Sequence, residues 1–402
     1  VAVGLFSKAA KEAFLERVAR DEVALSFVRV ERGGLDDFLP APFADVAAVS
    51  IADAFRFRSS GTQTKRDEFV YGFTAAQIER QVKDWLAAPA AEAQAAFHAS
   101  RDRDWSEAHA TSFDAALVRE TAYRPLDRRL HYAHRAFNDF LRTDLRAAWG
   151  ATNIALYAMP SGTGAGPAVW VHGLIPDYHA FRGSYGGYAF PLYDRRNGPG
   201  AHNLNPDLLR GLEAAYARRV RPEDVFHAIT ALLSATSYTR RFAWDLEEAF
   251  PHIPFPADPA VFEDAARIGA EIAALETFAR QPAAAFRTAR LAGKATGVTL
   301  QVPPIGRAFL PDGSGSGAIP LQHDSSLRLA GVPERVFAFG VSGYRVLYRW
   351  LVARAGEPLA EVQRDALDIA WRLAELLHWF DQADPVLDAA LARPLSRATL
   401  GL

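Results

Sequence analysis

The sequence predicts a mixed α/β fold, an α+β arrangement with a mixed sheet core, peripheral helices and a C-terminal helical section. Three observations carry the prediction. Strand-like stretches recur at Glu22 to Val30, Asp45 to Phe57, Asn153 to Met159 and Ala168 to Val171. Helical spacings of three and four recur between and after them, most clearly in Leu359, Val362, Ala366, Ile369, Leu373, Leu376 and Phe380. Half of the 402 residues are hydrophobic and aromatics are plentiful, enough for one large core or several smaller ones.

Taken in order, Ser7 to Arg20 reads as an amphipathic helix with Phe6, Phe14 and Leu15 as apolar points, feeding the Glu22 strand. The Asp45 strand runs into a polar loop, Ser59 to Asp67. Thr74 with Gln77 three residues on is a capping-box pattern that starts a helix through Trp85. Ala87 to Ala110 has few large apolar residues and predicts surface helix and connection. After the dense polar and aromatic segment Tyr123 to Tyr132, two strands follow with a loop from Pro160 to Pro167 between them. Glycine-rich loops then recur at Arg182 to Gly187 and Asp194 to Gly200. Asn205-Pro206 and Asp258-Pro259 each place an N-cap before a proline at the first helical position. They predict helices near Asp207 to Arg218 and Ala260 to Phe278, with Phe226 to Glu248 helical between them. A strand-rich section, Val298 to Phe339, is broken by the Asp312 to Gly317 loop, and helices close the chain. Tyr344, Trp350, Trp371 and Trp379 stand at spacings that predict core positions.

Composition excludes several function classes. The chain has no cysteine, which removes disulfides, thiolate metal sites and cysteine nucleophiles and fits a reducing cytoplasm. No apolar run approaches the roughly 20 residues of a membrane helix, so no membrane partner is expected. The opening Val1 to Leu5 is neither an initiator methionine nor a signal peptide, and reads as a continuation of a longer polypeptide. The formal charge of −2 gives no global attraction to a polyanion, so nucleic-acid binding requires a local concentration of cations. Those cations are mostly arginine, because Lys8, Lys11, Lys65, Lys83 and Lys294 are the only lysines. An arginine fork suits phosphate or a guanine edge, although a GC-rich genome yields the same bias.

Enzyme motifs fail one by one. Asn205-Pro206-Asp207-Leu208 lacks the second proline and the aromatic of an adenine-methyltransferase loop, and capping already explains it. Gly340-Val341-Ser342-Gly343 reads as a turn, and Gly293-Lys294-Ala295 lacks the Ser or Thr and the upstream glycine of a phosphate loop. The eleven histidines contain no His-Glu-x-x-His helix, and no lysine sits in the Asp…Glu-x-Lys arrangement of common nucleases. No catalytic, cofactor-binding or metal-binding residue is therefore assigned. A complete transferase or hydrolase with dispersed catalytic residues remains an alternative, as does a protein-interaction scaffold.

Five segments in order carry a resemblance. Ser59 to Val70 is similar to a Gly-x-x-Thr-x-Arg-Asp loop, and Tyr123-Arg124-Pro125-Leu126-Asp127-Arg128-Arg129 to Tyr-Arg-Pro-Phe-Asp-x-Arg, with Leu126 replacing the usual phenylalanine. Phe190-Pro191-Leu192-Tyr193, Tyr238 to Pro256 and Val341 to Leu351 follow. Together, over roughly residues 50 to 380, the chain resembles the C-terminal specificity domain of Type ISP restriction-modification enzymes and related single-chain adenine methyltransferase-endonucleases. The resemblance implies double-stranded DNA as partner, a role in target recognition for phage defence, and methyltransferase and nuclease domains upstream in the same polypeptide. S-adenosylmethionine, magnesium and ATP are implied only for those upstream parts. Residues 1–115 are then expected to form an N-terminal α/β region joining the catalytic part. Residues 116–402 are expected to form the specificity core, with helical sections near 205–280 and 345–402.

Such a domain needs phosphate contacts for register and base contacts for discrimination. Lys65 and Arg66, beside Gly61, Thr62 and Thr64, suit phosphate. The alternative is an Arg66–Asp67 pair that closes a turn. Arg124 and Arg128 are candidate DNA contacts or members of a buried knot locked by Asp127. Arg182 and Arg195-Arg196-Asn197 lie in glycine-containing loops that could set a fork or an amide against a base edge, or could be solvated turns.

Overall fold

The computed structural model describes residues 8–20, 22, 42–181, 186–293 and 297–402. The strand expected from Glu22 to Val30 and the residues Arg182 to Tyr185 lie outside these, apart from Glu22 itself. Helices and small sheets alternate along the chain, as a mixed α/β fold requires. The strands are distributed over several small sheets, and every pairing between named strands is antiparallel.

One four-stranded sheet runs Ser59–Ser60, Tyr188–Pro191, Ala155–Ala158, Val169–His172. Ala155–Ala158 and Val169–His172 are buried on both faces, which is why they read as unbroken apolar runs. Against this sheet lie the helices Pro222–Ser234 and Pro259–Glu276, which in turn pack on the long helix Leu359–Ala392. At Gly269 a Cβ atom would sit 1.7 Å from the His227 carbonyl oxygen, so only glycine lets the two central helices approach this closely. Leu156, Val171, Ile229, Leu233, Ile272, Leu373 and Leu376 belong to the large core that results.

A second, smaller core lies under the sheet of Tyr71–Gly72, Asp127–Tyr132 and Val118–Arg124, where the Ala75–Ala87 helix contributes Ile78, Val82 and Trp85. Phe97, Tyr132 and Phe137 complete it, so it draws on residues from both sides of residue 115. Isolated parallel bridges, Thr62 with Asp177 and Ala122 with Pro176, stitch this sheet and the Ser59 loop together. A third sheet, in the order Arg290–Ala292, Arg328–Pro333, Ser316–Pro320, Leu310–Pro311, stands in the strand-rich section.

The caps are where the sequence places them. Thr74 accepts from the Gln77 amide at 3.1 Å while the Gln77 side chain accepts from the Phe73 amide at 2.9 Å. Asn205 and Asp258 cap Pro206–Tyr216 and Pro259–Glu276. Two stretches differ from expectation. Asp45 to Phe57 is no single strand: Val49–Ser50 pairs with His252–Ile253, and Ser50 then caps a helical turn, Ile51–Ala54. Phe226 to Glu248 is no single helix: it breaks after Ser234, where the Thr236 and Ser237 amides turn to Phe380 and Asp384 of the C-terminal helix.

Candidate nucleic-acid interface

The Tyr123 to Arg129 motif is a tight hairpin in which Arg124 pairs with Asp127 across a two-residue turn of Pro125 and Leu126. Leu126 has φ 56, in the left-handed region, while proline presets the residue before it. Asp127 is buried and holds Arg129 at 2.9 Å and, from 227 residues away, Arg354 at 2.8 Å. Arg124 instead reaches Asp177 at 2.8 Å and stacks on Tyr123, 4.0 Å from the ring centroid. Burial opposes its charge, but Asp177 and Tyr123 outweigh that and raise its pKa. The hairpin is thus a structural knot, but Asp127 locks Arg129 and Arg354, and Arg124 is held by Asp177 instead. Arg128 points elsewhere, donating to the Thr277 carbonyl and lying 4.0 Å from the Phe278 centroid.

The Ser59 to Asp67 loop sends most of its polar groups inward. Gly61 has no room for a side chain, since a Cβ would fall 2.4 Å from the Asp177 carbonyl oxygen, so its glycine serves chain packing and not phosphate approach. Thr62 is buried, and the Thr64 hydroxyl donates to Asp67. Arg66 is the main correction. Its side chain is fully buried, paired with Asp139 at 2.8 Å, bonded to the Thr64 carbonyl and Ser100 hydroxyl, and stacked on Phe97. It is not available to phosphate, and its partner is Asp139, not the adjacent Asp67. Lys65, at φ 64, faces solvent.

Lys65 nonetheless belongs to a cationic face. Its charge acts on His179, as do those of Asp177, Arg124 and Asp67, each more strongly. Arg58 lies 5.9 Å from the Tyr188 centroid. The charge of Asp144 favours the cationic forms of Arg142 and Arg196, and the charge of Arg56 helps to lower the Asp194 pKa. Geometry gathers these cations around the segment from residue 56 to 65: Arg56, Arg58 and Lys65 belong to it, Arg196 lies 3.8 Å from the Phe57 centroid with Arg195 beside it, and Arg142 donates to the Gly61 carbonyl at 3.4 Å, with Asp67, Asp144 and Asp194 interspersed. Within that surface Asp194 clamps Arg196 bidentately at 2.8 and 2.7 Å and accepts from Asn197 at 3.0 Å. Arg195 is left exposed and, among the described residues, its side chain reaches the Thr152 hydroxyl alone, at 3.5 Å. In contrast with the paired Arg66, Arg124 and Arg196, no carboxylate among the described residues forms an ion pair with Lys65, Arg56, Arg58, Arg142 or Arg195.

Arg182 lies outside the described residues. Arg56, Arg58 and Arg142 were not singled out from sequence. The alternation Phe55-Arg56-Phe57-Arg58 carried the signal, with Phe55 buried and both arginines exposed.

Fold and face define a mixed α/β module with a cation-rich surface and, among the described residues, no group of three or more potential metal ligands. A family model described as the Type ISP C-terminal specificity domain matches residues 53–375, and the chain belongs to that family. In fold it is similar to the ATP-dependent Type ISP restriction-modification enzyme LlaBIII bound to DNA, with 16% identity, a TM-score of 0.67, and coverage of 97% of this chain and 27% of that one. The DrdV–DNA complex gives 17% identity, a TM-score of 0.64, and 94% and 42% coverage. A nuclease-deletion mutant of the Type ISP enzyme LlaGI, in complex with a DNA substrate mimic, gives 14%, 0.60, and 90% and 30%. The chain therefore spans less than half the length of each of these structures. No curated protein sequence matches it.

Proposed function

We propose that this chain is the DNA target-recognition domain of a restriction-modification enzyme, directing adenine-N6 methylation and cleavage performed by domains upstream. The carrying observation is the group of exposed cations without ion-pair partners among the described residues, Lys65, Arg56, Arg58 and Arg195, on a chain whose total charge is −2. Family membership and the DNA bound in the structurally similar enzymes support the reading. On this reading S-adenosylmethionine, magnesium and ATP serve the upstream parts, and the assembled enzyme works in the cytoplasm as a phage defence.

The face divides into two chemistries. Lys65, Arg58 and Arg142 act as phosphate contacts that fix register. Arg195 is the candidate base reader, because it is exposed while Asp194 holds Arg196 and Asn197 beside it. Arg195→Ala is expected to cost about 1 to 3 kcal/mol on the cognate duplex and little on random duplex. Titration of both duplexes against the chain and its parent checks this. Equal loss on every sequence assigns Arg195 to backbone contact, and absence of duplex binding by the parent sinks the recognition reading.

A further inference from the structure

Away from the Lys65 face, the start of the C-terminal helix, the Arg128 hairpin and the segment after Phe278 enclose a cleft of about 680 Å³. Arg128, Arg287, Arg354, Arg364 and Arg372 line it, together with Asp365 and Asp368. Two of these arginines are already committed: Arg354 to Asp127 at 2.8 Å, and Arg372 to Asp368 at 2.6 Å. No carboxylate among the described residues forms an ion pair with Arg128, Arg287 or Arg364, and all three are exposed. Two of them are held in position by neutral groups. Arg128 bonds the Thr277 carbonyl and stacks on Phe278, while Arg287 donates to the Pro282 carbonyl at 2.9 Å and lies 5.7 Å from the Trp371 centroid. The Trp371 ring is fixed in turn by its indole N–H, which donates to the Ala289 carbonyl at 2.9 Å. Burial lowers the Arg128 pKa; Glu120 and Asp368 oppose the change, but the facing Arg372 charge adds to it. Five guanidinium groups therefore converge in a concave site whose lining carboxylates are two, and three of the five have no ion-pair partner among the described residues.

We infer that this cleft binds a phosphate-bearing ligand, with Arg128, Arg287 and Arg364 as its donors. Guanidinium forks held by carbonyls and aromatic faces are pre-ordered for an anion with several oxygens. The volume far exceeds one phosphate and falls within the range of about 300 to 1,000 Å³ typical of small-molecule sites. Two sources share this chemistry, a free nucleotide and a stretch of DNA backbone. The duplex arm of the test rests on the recognition reading above, and the nucleotide arm does not. The cleft shares no residue with the Lys65 face, so either can fail alone.

The test compares the chain with Arg287→Ala/Arg364→Ala, which alters exposed positions, and with a charge-matched control, Arg219→Ala/Arg240→Ala, at exposed positions outside the cleft. Probes are inorganic pyrophosphate, AMP and a random-sequence duplex, with melting temperature recorded for each variant. A nucleotide site gives saturable AMP and pyrophosphate binding that falls at least tenfold in the cleft variant and not in the control. A backbone site gives no saturable AMP binding, and the cleft variant lowers the salt slope of duplex binding by about one to two units. If a folded cleft variant matches the parent chain with all three probes, or if the control loses as much, the inference is overturned. Equal affinity for a polyglutamate peptide also overturns it, because the cleft is then a general anion surface.

Discussion

Lys65 and Arg66 are adjacent in sequence and meet opposite environments because the backbone turns at Lys65, sending one cation to solvent and the other onto Asp139 and Phe97. Their substitutions separate accordingly. Arg66→Ala leaves Asp139 buried without its counter-ion and is expected to cost about 3 to 5 kcal/mol in denaturant unfolding. Lys65→Ala is expected to change stability little and to lower the salt slope of duplex binding by about 0.9. A stable Arg66→Ala protein with a reduced salt slope returns Arg66 to the DNA surface. Buried histidines add a pH dependence. Burial depresses the pKa of His131 and of His172 to about 3, and the Asn138 bond only partly offsets it at His131. Asn138 donates from its amide nitrogen to two carbonyls, so its oxygen faces the His131 ring and His131 Nε2 carries the proton. Because the unfolded chain takes up protons first, below about pH 6.5, stability is full above that value and falls as pH drops toward 3. Each histidine is expected to cost roughly 2 kcal/mol by pH 5. Urea melts of the chain and of His131→Gln at pH 7.5 and 5 check this by comparison: acidification is expected to favour the variant relative to the parent by roughly 2 kcal/mol, whereas buried Glu276, whose pKa burial raises, shifts both proteins alike in the opposite direction.

Elements defined by local chemistry were legible in the sequence. Asn205-Pro206, Asp258-Pro259 and the Thr74–Gln77 box each carry their own start signal, and the helices begin there. The Pro206–Tyr216 helix ends without a glycine signal, on exposed Ala217 at φ 51. Ala217→Gly is therefore expected to stabilise the chain by roughly 1 kcal/mol, visible as a raised denaturation midpoint with unchanged slope. Elements decided by distant partners were not legible. The Phe226 to Glu248 stretch keeps a helical pattern, yet contacts with Phe380, Asp381 and Asp384 divide it. The candidate site shows the same limit. Nothing near Arg66 names Asp139, 73 residues on, and nothing near Arg124 names Asp177, 53 residues on. The family motifs marked where buried ion pairs form, because such pairs demand particular residues. The exposed face tolerates any cation and left only the Phe-Arg alternation at residues 55 to 58 as a trace.

At the scale of the whole molecule, a chain of charge −2 attracts DNA only if its cations are asymmetrically placed, and burying its best-marked arginines in pairs makes the remaining ones decisive. Acidic groups elsewhere repel the duplex, so binding is expected to depend on orientation and to weaken steeply with salt. Lys65→Ala, Arg142→Ala and Arg195→Ala sample the two ends and the middle of the face, and none removes a buried ion pair. If each of the three contacts phosphate, the combined variant lowers the slope of log K against log salt by about 2.7, at 0.9 per contact. If Arg195 reads a base instead, the slope falls by about 1.8 and discrimination between cognate and random duplex is lost alongside it. A slope measured from 50 to 200 mM salt separates the two outcomes, with unchanged melting temperature as the check on folding. A slope that does not move in the combined variant places the DNA surface elsewhere on the molecule, and the arginine cleft beside Trp371 is then the next surface to test.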